Sequence, residues 1–250
     1  REDDGKQLIL IRIPYFEGSK VDIPYTTIPL GIILTDKYLI TVCRRQNEIL
    51  QEFASGRMRG LSTGKRNRFM LRLLLANASR FLLFLREINK VTDSLEDTLV
   101  ASMRNKEVFE LLKYQKSLVY FTTALKSNEL VLERLQRSQL FKQYPDDEDL
   151  LEDVITENQQ AIEMVNIAST ILSSMMDAFA SIISNNMNIV VKFLTSMTIV
   201  MSIPTIVTSF FGMNVPLPYQ QESWASLAII GLFLILSAIV IFVFLKRDWF

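Results

Sequence analysis

Two long apolar stretches in the C-terminal part of this 250-residue sequence decide its fold. Residues 190–211 read VVKFLTSMTIVMSIPTIVTSFF, and residues 225–245 read ASLAIIGLFLILSAIVIFVFL. The first contains one charged residue, Lys192, and the second contains none. Because an α-helix needs about 20 predominantly apolar residues to cross the hydrocarbon of a bilayer, both stretches predict transmembrane helices. The alternative, two buried core helices of a soluble protein, fits their length and composition less well.

The residues around these stretches predict their orientation. Trp224 and Trp249 lie at the two ends of the second stretch, where indole rings favour the membrane interface. Lys246 and Arg247 follow it directly, whereas the loop at 215–223 contains no Lys or Arg. Since basic residues are enriched in cytoplasmic segments, we expect both termini in the cytoplasm. The expected location is the plasma membrane of a bacterium or archaeon, or an inner organellar membrane, with the lipid bilayer as a partner.

The composition excludes several classes of protein. Lys and Arg number 27, as do Asp and Glu, so the basic surplus typical of nucleic-acid binding is absent and no nucleic-acid partner is expected. The lack of histidine excludes Ser-His-Asp and Cys-His catalysis. The single cysteine, Cys43, excludes internal disulfides and multi-cysteine metal motifs. We therefore expect a protein that is not an enzyme and has no organic cofactor.

Glycine and proline divide the remaining sequence. Six of the eight glycines lie in residues 1–64, where short β-branched runs bounded by turn residues predict a small sheet. The predicted elements are strands at Leu8–Ile13 (ended by Pro14), Ile32–Leu34 and Tyr38–Val42, and a short helix at Asn47–Ala54. We expect these residues to form a partial cytosolic α/β domain, with further residues upstream because the sequence begins at Arg1 without Met.

Long helices are expected next, because no glycine occurs from Lys65 to Phe211. Residues 65–144 show amphipathic periodicity and predict a cytosolic region of two helices with a break near Asn105, the second ended by Pro145. Residues 146–211 predict one helix of about 100 Å, of which only about 30 Å can lie in lipid. The expected order is then a stalk continuing as a first span at about 190–211, an extracytoplasmic loop at 212–223, a second span at 224–245 and a basic cytosolic tail at 246–250.

A line of polar residues runs along this long helix at alternating steps of four and three, and we call it the polar stripe. Nine of its ten positions are polar, and a 3.5-residue period is typical of helices that supercoil around a shared axis. We interpret the stripe as the lining of a water-filled pore formed by several copies of the chain, with Val191 and Leu194 closing it by dewetting near the inner membrane face. The stripe consists of Asp177, Ser181, Ser184, Asn188, Val191, Thr195, Thr198, Ser202, Thr205 and Ser209.

A packing seam is the alternative interpretation of the polar stripe, since Ser and Thr also allow close approach and hydrogen bonds between membrane helices. The protein would then be a membrane-anchored coiled-coil scaffold.

The sequence Gly212-Met213-Asn214 follows the long helix directly. Glycine can end a helix with a backbone turn that other residues resist. A ring of neutral Asn214 amides can accept hydrogen bonds from the waters of a hydrated cation, and Mg²⁺ sheds its water reluctantly.

Gly-Met-Asn between two C-terminal spans, closing a very long helix, resembles the CorA family of magnesium channels and transporters. Residues 177–214 are similar to the pore helix of that family, the Lys-Arg-Asp-Trp ending to its basic tail, and Ile28–Val42 to a strand pair of its cytosolic domain. The resemblance implies a mainly α membrane protein that forms a funnel-shaped homopentamer. It also implies that Asn214 is the filter amide, Leu194 a hydrophobic gate, and Asp177, Asn188 and Thr205 polar rings.

The sequence departs from the family pattern at three positions. Phe211 replaces the usual tyrosine before the glycine, and Val191 and Ser202 stand where methionine is frequent. The predicted gate is therefore wetter or differently placed.

Two further sets of acids are candidate cation sites. The resemblance implies regulatory Mg²⁺ sensing at carboxylates between cytosolic domains, for which the candidates are Asp149, Glu152 and Asp153; a solvated helix N-terminus stabilised by its dipole is the alternative. Glu222 is the only charge in the outer loop and is a candidate for attracting cations. We thus expect Mg²⁺ as the transported and regulatory ion, with Zn²⁺, Co²⁺ or Ni²⁺ as alternative cargo.

Overall fold

The computed structural model describes residues 7–56, 62–102, 105–138, 141, 144–213, 224–247 and 249. Three strands are followed by five helices. The contacts divide the chain into two compact units, unit 1 at residues 1–177 and unit 2 at residues 178–250.

Unit 1 begins with a three-stranded antiparallel sheet in the order β1-β2-β3. Its strands are β1 (Gln7–Phe16), β2 (Tyr25–Leu34) and β3 (Leu39–Cys43). The turn between β2 and β3 is closed by the Thr35 N–H, which donates to the Tyr38 carbonyl at 2.9 Å. The sheet was predicted, but β1 and β2 are both longer than the sequence indicated.

Pro14 lies inside β1, so the prediction that it ends the strand was wrong. Arg12 pairs with Pro29, and its N–H donates to Asn128 Oδ1 at 2.8 Å instead of to β2. Pro14 is two residues further along and faces the same outer edge, where a missing N–H removes no ladder bond. Pro29 is tolerated in β2 for a related reason, because β3 pairs only with residues 30–34.

Three helices complete the part of unit 1 that precedes the longest helix. They are α1 (Glu48–Ala54), α2 (Arg66–Ser102) and α3 (Asn105–Arg137). Asn47 caps α1, since its Oδ1 accepts from the Leu50 N–H at 2.9 Å. The short helix and the break near Asn105 agree with the sequence prediction.

The end of α3 was predicted wrongly. The helix stops at Arg137 and does not continue to Pro145. The Ser138 hydroxyl donates to the Leu135 carbonyl at 2.6 Å, a local bond that competes with helix continuation. Phe141, which is 2% exposed, then belongs to the core.

One face of the sheet packs against the helices of unit 1 and forms the core. The alternating residues of β1 and β2 point inward, and they meet apolar side chains of α1, α2 and α3. Fully buried members include Ile13, Leu30, Ile32, Met70, Leu71 and Leu73. The outer edge of β1 is covered by two amides, because Asn77 Nδ2 and Asn128 Nδ2 donate to the Arg12 carbonyl at 3.0 and 2.8 Å.

The longest helix, α4 (Pro145–Phe211), extends from unit 1 into unit 2, as the sequence predicted. Pro145 occupies its first position, where the missing N–H is not needed. Pro204 lies inside it, and the Thr208 hydroxyl donates to the Pro204 carbonyl at 2.8 Å. Unit 2 also contains α5 (Ala225–Lys246), in which no residue is buried. Both α4 and α5 contain segments long and apolar enough to cross a membrane.

Candidate functional site

The polar stripe lies on the water-accessible surface of a single chain. Nine of its ten residues are exposed, and Ser202 is half-buried. The apolar side chains beside it are exposed as well, among them Met187, Phe193 and Met201. Exposure therefore does not distinguish the stripe from its flanks.

Three hydroxyls of the stripe donate their proton to the helix that carries them. Thr198 donates to the Leu194 carbonyl at 2.8 Å, Ser202 to the Thr198 carbonyl at 2.8 Å, and Thr205 to the Met201 carbonyl at 3.2 Å. Because a hydroxyl has one proton and two lone pairs, each oxygen is left to act as an acceptor toward its surroundings. This segment thus presents oxygen acceptors, which suit the waters around a cation.

A shallow groove on α4 contains these same hydroxyls together with side chains that the sequence analysis did not assign to the site. Met197 and Met201 line it beside the stripe, and they are 48% and 64% exposed. Methionines four residues apart on a helix are typical of ordinary packing, so their spacing alone does not identify them as site residues. The predicted gate residues Val191 and Leu194 are also exposed, and Leu194 lines the groove.

The end of α4 is described up to Met213. The Gly212 N–H donates to the Thr208 carbonyl at 2.9 Å, which continues the helical pattern for one more residue. The helix ends directly before Gly212, as predicted, but Gly212 does not have a positive φ, so its backbone does not make a turn that other residues would resist. Glycine is favoured there because a Cβ would lie 3.1 Å from the Thr208 carbonyl oxygen. Asn214 and Glu222 lie outside the described residues.

The acids at the start of α4 divide into two groups. Arg68 of α2 binds Asp147 at 2.7 Å and Asp146 at 3.0 Å, and Asp147 is 5% exposed. The hydrogen bonds that Arg68 donates to Asp147 and, with a smaller effect, to Asp146 raise the pKa of Arg68. These two acids therefore fasten the start of α4 to α2.

The other acids, Asp149, Glu152 and Asp153, are exposed on one face of α4. Within the described part of one chain, no three Asp, Glu, Cys or His side chains are grouped closely enough to hold a metal ion. A regulatory site at these acids would thus need a second subunit, and it stays a prediction.

A contact in unit 2 that the sequence did not reveal joins α4 to the segment after α5. Ser196 is fully buried, and its hydroxyl lies 2.6 Å from the Lys192 carbonyl and 3.4 Å from the Trp249 carbonyl. The Trp249 ring stacks on Phe244 with centroids 5.2 Å apart, and the Trp249 backbone N–H donates to the Phe244 carbonyl at 3.1 Å. Trp249 was predicted at the membrane interface. Its partner Ser196 is off the polar stripe, and no sequence pattern indicated a contact there.

Comparisons with known proteins cover both units. The family described as "CorA-like Mg2+ transporter protein" matches residues 2–247. The cobalt/magnesium transport protein CorA of Methanocaldococcus jannaschii is 29% identical over 258 aligned positions, which cover 99% of this chain and 78% of that protein. The complete structure of the CorA magnesium transporter from the same organism superposes with a TM-score of 0.85 at 26% identity, covering 100% of this chain and 79% of that one.

A more distant structure, the full-length CmaX protein, shares the fold with a TM-score of 0.69 at 15% identity, covering 94% of this chain and 74% of that one. The mainly α, two-span fold predicted from the sequence is confirmed by the full-length match. Because the family match runs from the sheet of unit 1 through both apolar helices of unit 2, this chain is an integral membrane protein that belongs to the family of CorA-like Mg²⁺ transporter proteins.

Proposed function

We propose that this chain forms a homopentameric channel that passes hydrated Mg²⁺ passively along an axial pore lined by the polar stripe. The observation that carries the proposal is the set of hydroxyls on α4 whose protons are engaged by their own helix. The names of the relatives, a magnesium transporter and a cobalt/magnesium transport protein, support Mg²⁺ as cargo and Co²⁺ as a second ion.

The hydroxyl oxygens suit this cargo because of how Mg²⁺ holds its water. Mg²⁺ dehydrates reluctantly, so a pore passes it more easily when the wall accepts hydrogen bonds from its water shell. Oxygens that have already donated their proton accept such bonds without binding the metal directly. We propose Asn214 as the filter at the outer end of the pore, where a ring of neutral amides accepts hydrogen bonds from the water shell of the ion.

A pore requires several copies of the chain, because two membrane helices enclose no aqueous path. The apolar side chains beside the stripe remain exposed in one chain, among them Met187, Leu194 and Phe210, and so does most of α5. Such surface needs lipid or other subunits. We propose that α4 faces the pore and its neighbours, that α5 faces lipid, and that the number of copies is five, as the family resemblance implies.

The direction of transport follows from charge and orientation. With both termini in the cytoplasm, residues 1–177 and 246–250 are cytosolic and the loop at 212–223 is outside. A negative interior attracts cations with about 2.3 kcal/mol per elementary charge per 100 mV, hence about 4.6 kcal/mol for a divalent ion. Passive flow into the cell therefore needs no coupled reaction.

Regulation by cytosolic Mg²⁺ is proposed at the exposed acids of α4. Asp149, Glu152 and Asp153 share one face, and none of them is engaged by Arg68. Two such faces from neighbouring subunits would supply enough carboxylate oxygens for a magnesium ion. Asp153→Ala is then expected to keep the channel conducting at high internal Mg²⁺, whereas unchanged inhibition would contradict the site.

The test of the proposed function is Mg²⁺ uptake into liposomes that contain a magnesium-sensitive dye and low internal Mg²⁺. Wild type should show uptake that grows with an inside-negative potential, Asn214→Ala should lose most of it, and Gln221→Ala in the same loop should retain it. An absence of uptake by wild type would refute transport. Uptake that is equal in wild type and Asn214→Ala would refute the filter and leave transport standing.

A further inference from the structure

One end of unit 2 has three basic residues, Lys192 of α4, Lys246 of α5 and the following Arg247, which we call the basic cluster. All three are exposed in the chain. They are the only cationic residues of unit 2 in the sequence. The positive charge of the membrane-spanning unit is thus concentrated on one side.

The Ser196–Trp249 contact places the members of the basic cluster at one level. Lys192 precedes Ser196 by one helical turn, and its carbonyl accepts the Ser196 hydroxyl at 2.6 Å. The same hydroxyl lies 3.4 Å from the Trp249 carbonyl, and Arg247 is held by bonds from its N–H to the last turn of α5. The charges on the two helices therefore reach the same face of the membrane.

Trp249 provides the cluster with an aromatic anchor. Its ring stacks parallel to Phe244 with an angle of 5° between the planes, and its backbone N–H donates to the Phe244 carbonyl. An indole at this position favours the depth of the lipid headgroups. Cations and indole together match an amphipathic ligand that has a phosphate beside acyl chains.

The described residues of unit 2 provide no carboxylate to neutralise the basic cluster. The two acids of this unit in the sequence are Glu222, near the opposite end of α5, and Asp248, beside Arg247. Three cations against one neighbouring acid leave an excess of positive charge, which would repel divalent cations that pass the same end of α4. An anion bound there would remove this repulsion.

We propose that the basic cluster, together with Trp249, binds the headgroup of an anionic phospholipid of the cytoplasmic leaflet. The lipid phosphate lies among Lys192, Lys246 and Arg247, and the acyl chains follow α5. The inference goes beyond the proposed function and shares with it only the assignment of this end to the cytoplasmic side.

The two tryptophans of the chain make the test specific to one end of α5. A Trp224→Phe variant has Trp249 as its only tryptophan, and a Trp249→Phe variant has Trp224. Each is reconstituted in phosphatidylcholine vesicles to which brominated phosphatidylglycerol or brominated phosphatidylcholine is added, and quenching of indole fluorescence is measured. Quenching of Trp249 should give an association constant for brominated phosphatidylglycerol that is about fivefold or more higher than that for brominated phosphatidylcholine. Fivefold is the effect of one basic residue at an anionic surface. Trp224 should show no preference.

Charge removal and salt complete the test. K192Q/K246Q/R247Q in the Trp224→Phe background should reduce the preference at Trp249 to about one, and 1 M salt should reduce it in the unsubstituted cluster because the Debye length shrinks to about 3 Å. Equal quenching by the two brominated lipids at Trp249 would overturn the inference. Displacement of the lipid by millimolar glycerol phosphate would also overturn it, since a soluble phosphate would then be the ligand. Quenching does not depend on transport, so this result stands apart from the uptake assay.

Discussion

Unit 1 and unit 2 both contain apolar helix faces, more strongly apolar in unit 2, but only unit 1 buries them within the chain. In unit 1, the sheet and α1 to α3 enclose a core whose largest members, such as Phe81 and Phe121, are fully buried. Among the described residues of unit 2, only Phe179 and Ser196 are buried. Unit 1 is therefore stabilised by its own interior, whereas the exposed apolar side chains of unit 2 need to be covered from outside the chain.

The largest effect should come from the core of unit 1. Phe121 is 0% exposed and meets Phe81 edge-on with centroids 5.0 Å apart, so Phe121→Ala should cost about 3 to 5 kcal/mol. Amide hydrogen exchange of β2 in the full chain measures this as faster opening of unit 1. Phe242→Ala in α5, where the ring is 67% exposed, is the matched control and should leave that exchange unchanged. A similar loss of β2 protection in Phe121→Ala and Phe242→Ala would contradict the contrast between the units.

The next effect tests the amide cover on the edge of β1. Asn128 accepts from the Arg12 N–H and donates to the Arg12 carbonyl, both at 2.8 Å, and Asn128 is 3% exposed. Asn128→Leu leaves the Arg12 N–H without this acceptor and the Arg12 carbonyl with Asn77 as donor, so it should lower the free energy of opening of β1 by about 1 to 3 kcal/mol. Asn128→Gln is the control, since it retains the amide although its longer side chain fits less well. Protection of β1 unchanged in Asn128→Leu would show that water replaces the amide.

The contrast between the units also explains what could be predicted from the sequence. The two spans and the long α4 follow from apolar length and the absence of glycine, which are local properties. The prediction that Pro14 ends β1 was wrong because the effect of a proline depends on which edge of the sheet its nitrogen faces. Only the register with β2 determines that.

The candidate site shows the same division. The polar stripe is periodic, so it could be predicted directly from the sequence. Met197 and Met201 line the same groove but lie beside the 3.5-residue line, so its periodicity does not identify them. The Arg68–Asp147 pair and the Ser196–Trp249 contact join residues that are 79 and 53 positions apart. No local pattern marks such partners. Gly212 shows that even a correct motif can have a different physical cause, a close approach in place of a backbone turn that other residues resist.

In unit 2, the sharpest test removes one hydroxyl of the stripe. Thr198→Val retains the shape but loses the oxygen, so Mg²⁺ uptake should fall about threefold to tenfold, the equivalent of one net hydrogen bond. Thr198→Ser retains a hydroxyl that can donate to the Leu194 carbonyl and should retain most of the uptake. Thr208→Val is a further control, because Thr208 makes the same type of bond to the Pro204 carbonyl but lies off the stripe. Uptake by Thr198→Val equal to wild type would favour a packing seam.

The smallest effect concerns the pH dependence of unit 1. Burial, and then the hydrogen bond to Glu87 at 3.1 Å, raise the pKa of Tyr25 above the ordinary value of 10.0. A raised pKa means that the folded chain retains this proton longer than the unfolded chain, so the associated stability is fully present below pH 10 and decreases as pH rises above it.

Hydrogen exchange of β2 at pH 9 and pH 11, corrected for the intrinsic exchange rate, should show a loss of up to about 1 kcal/mol at the higher pH. Tyr25→Phe should lessen that loss, although Tyr114, whose pKa burial also raises, contributes to the remainder. Tyr38→Phe, at a site 67% exposed, should not alter it. Equal pH dependence in wild type and Tyr25→Phe would assign the alkaline loss to other groups, and the Tyr25–Glu87 bond would then serve packing alone.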